Sequence, residues 1–289
     1  MRLPTRKLLM WLFALPALSI NVVIILIPAL LTIALAFCQW DGFSMPVFVG
    51  LANFNAVFAD RVFWIALGNN IKWTLIFLTV PIAIGLFAAT LLLIIKRGRT
   101  LFQIVYFMPV VVATAITARV WQGMIYNPNT GVFGLLQRFG IELADPLAHT
   151  ETALYGIAAV DLWHWWGFLA VIFLAALRQV PQEMVEAARL DGAGFFGLMR
   201  HILIPAIAPT IKLMMVMTVI WSFLVFDFVY ILTQGGPAYS SEVLSTLAYR
   251  NAFFEFDLGR AAAVALVIAL FGLTATFAYV RLQAREGAN

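Results

Sequence analysis

Two aspartates, Asp161 and Asp227, stand in long apolar segments, and each has several aromatic residues close by in the sequence. An ionisable group within a membrane span is costly, so it usually faces the interior of a helix bundle or a water-filled path. Aromatic rings offer flat apolar faces and carboxylates accept hydrogen bonds, so together they suit a solute with C–H faces and hydroxyl edges, such as a sugar. The sequence therefore predicts a solute pathway that is lined by Asp161, Trp163, Trp166, Trp221, Phe226, Asp227 and Tyr230.

Other roles stay open for the same residues. Asp227 could hold helices together instead of contacting a solute, and the tryptophans could form an interfacial aromatic belt or pack against lipid. His164 is more often a packed histidine than a proton relay. We find no nucleophile–base pair, phosphate-binding loop or metal-ligand cluster in the sequence, and the lone Cys38 is expected to be a small buried hydrophobe.

A polar stretch, about residues 178–207, separates the two apolar segments that carry these aspartates. Pro181 suits the first turn of a helix, and Glu183 and Glu186 favour its positive end. Gly192 can adopt the positive φ that often ends a helix. These features predict a helix of about three turns, followed by a second helical segment that runs to Pro205 and into the next apolar segment.

The elements that position these residues follow from composition. Of the 289 residues 63% are hydrophobic and 11% are charged, whereas soluble domains average about 45–50% and about 25%. Each apolar segment exceeds the roughly 20 residues that a helix needs to cross a bilayer. We therefore predict an all-α polytopic membrane protein, a single domain over residues 1–289, with six transmembrane helices at about 8–37, Trp64–Ile95, Leu101–Tyr126, Thr152–Leu177, Ala208–Thr233 and Leu258–Leu282.

The positions of Lys and Arg predict the orientation of these spans. Twelve of them lie in the N-terminal tail, the second and fourth connections and the C-terminal tail, against four in the other three connections. Because positive residues accumulate on the cytoplasmic side, both termini are predicted to be cytoplasmic. The first apolar segment is longer than the core of a cleavable signal, so we expect it to be retained as a span.

The polar stretch also carries a spaced motif. It reads Glu186-Ala187-Ala188, then Gly192 after three residues, then Ile202-Leu203-Ile204-Pro205 after nine more. This resembles the cytoplasmic signature of the permease subunits of binding-protein-dependent ABC importers, with Ile204 where Leu is usual. The resemblance implies a type I importer permease fold and a coupling helix that contacts an ATPase through Glu186, Ala187, Ala188, Asp191, Gly192 and Pro205.

Further segments resemble the carbohydrate-uptake branch of that family, which includes the maltose and glycerol-phosphate permeases, and in particular the first of its two non-identical permeases. They are Phe48–Phe54, Asn127-Pro128 with Gly131, Val225–Tyr230, Thr233–Pro237, Phe256–Gly259 and Ala261–Ala263. The resemblance implies a bacterial inner-membrane importer for a sugar, polyol, glycerol phosphate or sugar-acid derivative. The external binding protein is expected to dock on the outer loops Asn127–Glu151 and Gln234–Asp257.

The partners implied are a second permease that forms a heterodimer with this chain, two ATPase subunits, a solute-binding protein and membrane lipid, with no nucleic acid. ATP and magnesium would bind to the ATPase subunits and no cofactor to this chain, which is not expected to be an enzyme. The alternative is a secondary transporter or channel driven by an ion gradient. It accounts for Asp161 and Asp227 but not for the motif from Glu186 to Gly192. An intramembrane enzyme is a third possibility, with no catalytic pair in its favour.

Overall fold

The structure, a computed structural model, describes residues 4–95 and 97–286. In the N-terminal part the helices alternate with short irregular segments, and a stretch of π-helix, Val22–Leu26, joins the first two helices. The only β-structure in these described ranges is a two-stranded antiparallel sheet, in which Cys38 pairs with Phe48. The elements are α1 (Pro4–Asn21), α2 (Ile27–Leu35), β1 (Cys38–Gln39), β2 (Val47–Phe48), α3 (Ala52–Ala59), α4 (Arg61–Ile94), α5 (Arg99–Val111), α6 (Thr114–Val120) and α7 (Val132–Arg138).

The C-terminal part is also helical. Two further π-helical stretches, Trp121–Ile125 after α6 and Met199–Leu203, and one 3₁₀ turn, Pro146–Ala148, complete the secondary structure of residues 4–95 and 97–286. The helices are α8 (Ala153–Leu177), α9 (Gln182–Leu190), α10 (Phe195–Leu198), α11 (Ile204–Ala206), α12 (Ala208–Leu224), α13 (Asp227–Leu232), α14 (Leu244–Phe253) and α15 (Leu258–Glu286).

Five helical segments are long and apolar enough to cross a membrane, within the part of the chain that the structure describes. A bent pair of helices, Arg99–Val111 and Thr114–Ile125, makes a sixth if it is taken as one span. This confirms the predicted all-α membrane fold. The five segments are Phe13–Leu35, Arg61–Ile94, Ala153–Leu177, Ala208–Leu232 and Leu258–Arg281.

The expected third span, Leu101–Tyr126, is not one straight helix. Its two halves meet at an angle of 94°. Val112 and Ala113 are both extended there, with ψ of 133° and 134°. Pro109 lies one turn earlier, and β-branched valines follow it, so the local sequence is a weak helix former. The bend is therefore a property of the residues between Pro109 and Thr114, which hydropathy does not register.

The chain divides into two compact units. The first comprises the chain up to Arg61 together with Leu247–Ala269. Within it the side-chain amide of Asn53 donates to the carbonyl oxygens of Ala36 and Cys38 at 2.9 and 2.8 Å. The prediction of a single domain is not tested by this division and stays a prediction.

The second unit comprises Val62–Thr246 and the chain from Leu270 onward. Its apolar core has two clusters. One is built around Trp73, Ile157 and Val229, and the other around Leu92, Phe173 and Leu203. Both clusters draw on α4 and α8, so these two spans form the framework on which the cavity and the polar segment described below are positioned.

Candidate functional site

The polar segment between α8 and α12 forms the short helix that the sequence predicts. α9 has Pro181 at its N-cap (φ −56°, ψ 130°), one residue before the predicted position, and Glu183 in its first turn. Gly192 follows the helix with φ of +83°. Residues that carry a side chain rarely adopt this backbone conformation. Glycine at position 192 therefore allows the chain to turn directly toward the helical segment Phe195–Ala206.

One side of α9 packs against its own unit, and the other side is exposed. Val185 and Ala188 contact the apolar cluster around Leu203. Residues 183, 186, 187 and 190 follow the i, i+3, i+4, i+7 spacing and share the opposite face. There Leu190 is 89% exposed. The side-chain amide of Gln182 donates to the exposed Glu186 carboxylate at 3.1 Å. The helix thus presents a carboxylate beside an apolar side chain.

The residues predicted to contact an ATPase do not all lie on that exposed side. Ala188 is only 9% exposed, because it lies two residues from Glu186 and so points to the opposite side of the helix. It packs against the cluster around Leu203, and its predicted contact with an ATPase stays a prediction. The contacts predicted for the others stay predictions, and all of these residues are exposed: Glu186, Ala187, Asp191, Gly192 and Pro205.

A cavity of about 270 Å³ lies beside a break in the fifth span. α12 ends at Leu224, Val225 and Phe226 leave the helical conformation, and α13 begins at Asp227. Trp165 of α8 and Trp221 of α12 meet nearly at right angles in the wall, with ring centroids 4.8 Å apart. The lining comprises Trp73, Phe77, Thr114, Asp161, His164, Trp165, Thr218, Trp221, Ser222, Leu224, Val225, Phe226, Asp227 and Phe228.

Two side chains from other segments hold the break. Asn70 of α4 donates from Nδ2 to the carbonyl oxygen of Ser222 at 2.7 Å, and the hydroxyl of Ser245 donates to the carbonyl oxygen of Val225. Asn70 also accepts from the backbone N–H of Leu244 at 2.8 Å. Carbonyls at the end of a helix lack intrahelical partners, so these bonds satisfy groups that an unbroken span would pair itself.

The predicted pathway residues separate into two groups. Four of them line the cavity: Asp161, Trp221, Phe226 and Asp227. The others lie around it. Trp163 contacts Trp121 with ring centroids 5.8 Å apart, Trp166 contacts Tyr106 at 4.9 Å, and Tyr230 stacks on Phe226 at 5.1 Å. Their predicted contacts with solute stay predictions.

The predicted set of pathway residues left out Trp165 and Thr218, and packing was favoured for His164, although all three line the cavity. A usable signal existed for two of them. Asp161, His164 and Trp165 follow the i, i+3, i+4 spacing, so they share one face of α8. Trp163 and Trp166 do not share that spacing with Asp161. Asn70 gave a weaker signal, a polar residue next to Asn69 in an otherwise apolar span.

The segment after the fifth span is tightly held. Asn69 donates from Nδ2 to the carbonyl oxygens of Ser240 and Glu242 at 2.8 and 2.9 Å. Three non-glycine residues in this segment have positive φ, namely Gln234, Ala238 and Tyr239. Strained backbone of this kind persists only where surrounding contacts impose it. The start of the predicted outer docking loop Gln234–Asp257 is therefore held in a defined conformation by its contacts.

Comparison with known proteins links these features to one family. Residues 73–287 match the family model described as the binding-protein-dependent transport system inner membrane component. The probable ABC transporter permease protein YurN of Bacillus subtilis is 35% identical over 273 residues, which cover 92% of this chain and 93% of that protein. The trehalose/maltose transport system permease protein MalF of Thermococcus litoralis is 29% identical, covering 94% and 92% of the two chains.

The fold has a counterpart among solved structures. A chain in the crystal structure of a bacterial alginate ABC transporter, in complex with alginate pentasaccharide-bound periplasmic protein, superposes with a TM-score of 0.84. The match covers 97% of this chain and 96% of that one, at 22% identity. This likeness concerns the fold, and it confirms the predicted architecture of an importer permease.

Proposed function

Since the chain belongs to the family of inner membrane components of binding-protein-dependent transport systems, we propose that it is one of two membrane-spanning subunits that import a sugar or sugar-like solute. It is a multi-pass membrane permease subunit and not an enzyme, because members of this family leave ATP hydrolysis to a separate chain. A binding protein is its partner, because the family description names a binding-protein-dependent transport system. Docking of this protein, loaded with solute, on the outer side belongs to the proposal.

The remaining partners belong to the proposal. A second, non-identical permease completes the pathway, and two ATPase subunits that bind ATP and magnesium dock on the cytoplasmic side. Both termini are cytoplasmic, in the inner membrane of a bacterium. The exposed face of α9 supports this arrangement, because Glu186 can form a charge-assisted hydrogen bond and Leu190 can enter an apolar groove on the ATPase.

The observation that carries the proposal is the direct path from α9 to the cavity. The chain turns at Gly192, continues through Phe195–Ala206 and enters α12, which ends at Leu224 in the cavity wall. At 1.5 Å per residue the 17 residues of α12 span about 25 Å. Closure of the ATPase on ATP displaces α9, and α12 transmits the displacement to the break at Val225. The cavity then opens alternately to the outside and to the cytoplasm.

The proposed solute class follows from the lining. Aromatic rings such as Trp165 and Trp221 pack against the C–H faces of a sugar, and Asp161 and Asp227 accept hydrogen bonds from its hydroxyl groups. The related MalF protein is described as a trehalose/maltose permease. Saccharides, polyols, glycerol phosphate and sugar acids are the candidate solutes at this stage.

The test is ATP hydrolysis by the complete transporter in lipid, with its binding protein loaded with one solute at a time. One solute class should stimulate hydrolysis. Glu186→Lys should abolish that stimulation. It replaces a hydrogen-bond acceptor on the exposed face of α9 by a positive charge, which would repel a basic group on the ATPase. Glu186→Gln, which keeps the shape and an acceptor oxygen, should retain part of it. Co-purification of all subunits with each variant separates loss of coupling from loss of assembly.

Two results would contradict the proposal. One is a complex in which no loaded binding protein stimulates hydrolysis. The other is uptake that continues unchanged in the Glu186→Lys variant, because a carrier driven by an ion gradient has no use for an ATPase contact. Asp161 and Asp227 are the feature that such a carrier would need, so the second result would point to that alternative.

A further inference from the structure

The ionisable side chains in the lining of the cavity are two carboxyl groups and the imidazole of His164. Asp161 and Asp227 line it, and among the described residues of the lining there is no Lys or Arg. Two basic residues within spans, Lys72 and Arg119, lie outside this lining. Lys72 is exposed, and Arg119 donates to the side-chain oxygen of Gln122 at 2.8 Å. An anionic group entering the cavity would therefore meet carboxyl groups without a basic counterpart among the described residues of the lining.

Two polar atoms in the same lining have no hydrogen-bond partner among the residues that the structure describes. They are Nδ1 of His164 and Oγ1 of Thr218, in side chains that are 8% and 2% exposed. Buried polar atoms are normally paired, and an unpaired one is destabilising. Because both atoms lie in residues that line the cavity, hydroxyl groups of a bound solute are the natural partners for them.

The apolar part of the wall offers flat faces. The rings of Trp73 and Phe77 are stacked with an interplanar angle of 3°, and the rings of Trp165 and Trp221 meet at 81°. Such a corner fits the ring C–H groups of a sugar, while the aspartates, the histidine and the threonine take its hydroxyl groups. The lining thus contains the elements for an uncharged polyhydroxylated molecule and lacks those for phosphate or carboxylate.

On the basis of the proposed function, we infer that the cavity selects uncharged sugars or polyols and rejects their anionic derivatives. Asp161 and Asp227 exclude negative charge, and His164 and Thr218 bind hydroxyl groups. Sugar acids and sugar phosphates, which the proposed function alone leaves open, are thereby removed from the range of solutes.

The experiment measures direct binding of solutes to the purified transporter without its binding protein, by quenching of tryptophan fluorescence. Matched pairs are glucose with glucuronate, maltose with maltobionate, and glycerol with glycerol 3-phosphate. At least one neutral member should bind. Its anionic counterpart should have an affinity at least about tenfold lower, as expected when like charges face each other. In the double variant Asp161→Asn, Asp227→Asn this difference should largely disappear.

Thr218→Val tests the hydroxyl contacts with little change in shape. It should weaken binding of the neutral solute several-fold and leave the ratio of neutral to anionic binding unchanged. Thr117→Val is the matched control, because the Thr117 hydroxyl is also buried without a partner but does not line the cavity. It should leave solute binding as in the wild type.

Three outcomes would overturn the inference: equal or tighter binding of an anionic member, a preference that survives the double Asp variant, or no binding by any neutral solute. These outcomes differ from failure of the proposed function. If a binding protein loaded with a sugar acid or phosphate stimulates ATP hydrolysis, the importer assignment stands and the charge selection falls. If no loaded binding protein stimulates hydrolysis, the importer assignment itself fails.

Discussion

Asn70 is the side chain whose removal tests how the cavity is held. It is fully buried, donates to the carbonyl oxygen of Ser222 and accepts from the N–H of Leu244. Asn70→Ala leaves a carbonyl at the break in the fifth span, and an amide in the segment that follows, without these partners. We expect both segments to loosen, so that the transporter becomes less stable and its stimulation by solute weaker.

The size of the effect follows from the two bonds. Hydrogen bonds between spans of membrane proteins contribute about 0.6 kcal/mol on average. A buried group left without a partner costs about 1–3 kcal/mol. For two bonds the loss in the free energy of unfolding is therefore between about 1 and 6 kcal/mol, with the lower figure applying if water reaches the freed groups.

The assay is unfolding of the purified complex by denaturant in mixed micelles, followed by ATP hydrolysis with the loaded binding protein. Asn55→Ala is the control, because Asn55 is exposed on α3, and it should change the free energy of unfolding by less than about 0.5 kcal/mol. If Asn70→Ala unfolds within that same margin of the wild type and keeps full stimulation, Asn70 does not hold the break and the reasoning is wrong.

Two glycines give further predictions. Gly192→Ala should lower the free energy of unfolding by about 1 kcal/mol, because residues with a side chain disfavour a φ of +83° even where the surrounding space is open. The effect should appear as weaker stimulation of ATP hydrolysis, and Gly194→Ala, at φ −70° in open space, should leave it unchanged. Gly167→Ala should lower the free energy of unfolding by about 1–3 kcal/mol, because its Cβ would overlap the carbonyl oxygen of Tyr106 and force α5 from α8. Gly123→Ala, with nothing nearby, is its control in the same denaturant titration, and equal stability of the two variants would refute the packing argument.

Much of the fold could be predicted, because crossing hydrocarbon imposes a length and a composition on each segment. The fourth and sixth spans were predicted to begin at Thr152 and Leu258. In the structure the corresponding helices begin at Ala153 and Leu258. The bend of 94° in the third span could not be predicted in the same way. Hydropathy averages over a window of about 19 residues, whereas the bend depends on two extended residues.

The candidate site shows the same division. The α9 helix was predictable because Pro181, Glu183 and Gly192 act on their own neighbourhood. The residues that line the cavity could not be predicted in this way, because they depend on which face of α8 meets α12. The i, i+3, i+4 spacing of Asp161, His164 and Trp165 shows which residues share a face, but not which face is turned inward.

The sequence by itself determined that this chain crosses a membrane repeatedly, that a short polar helix follows the fourth span, and that the chain belongs with importer permeases. These properties depend on composition and on residues near one another in the chain. Only the tertiary structure decided that Ala188 packs inward, that Trp165 and not Trp163 lines the cavity, and that Asn70 holds a break in a span about 150 residues away. Such pairings join segments distant in sequence, and side-chain packing across helices selects among faces that local spacing leaves equivalent.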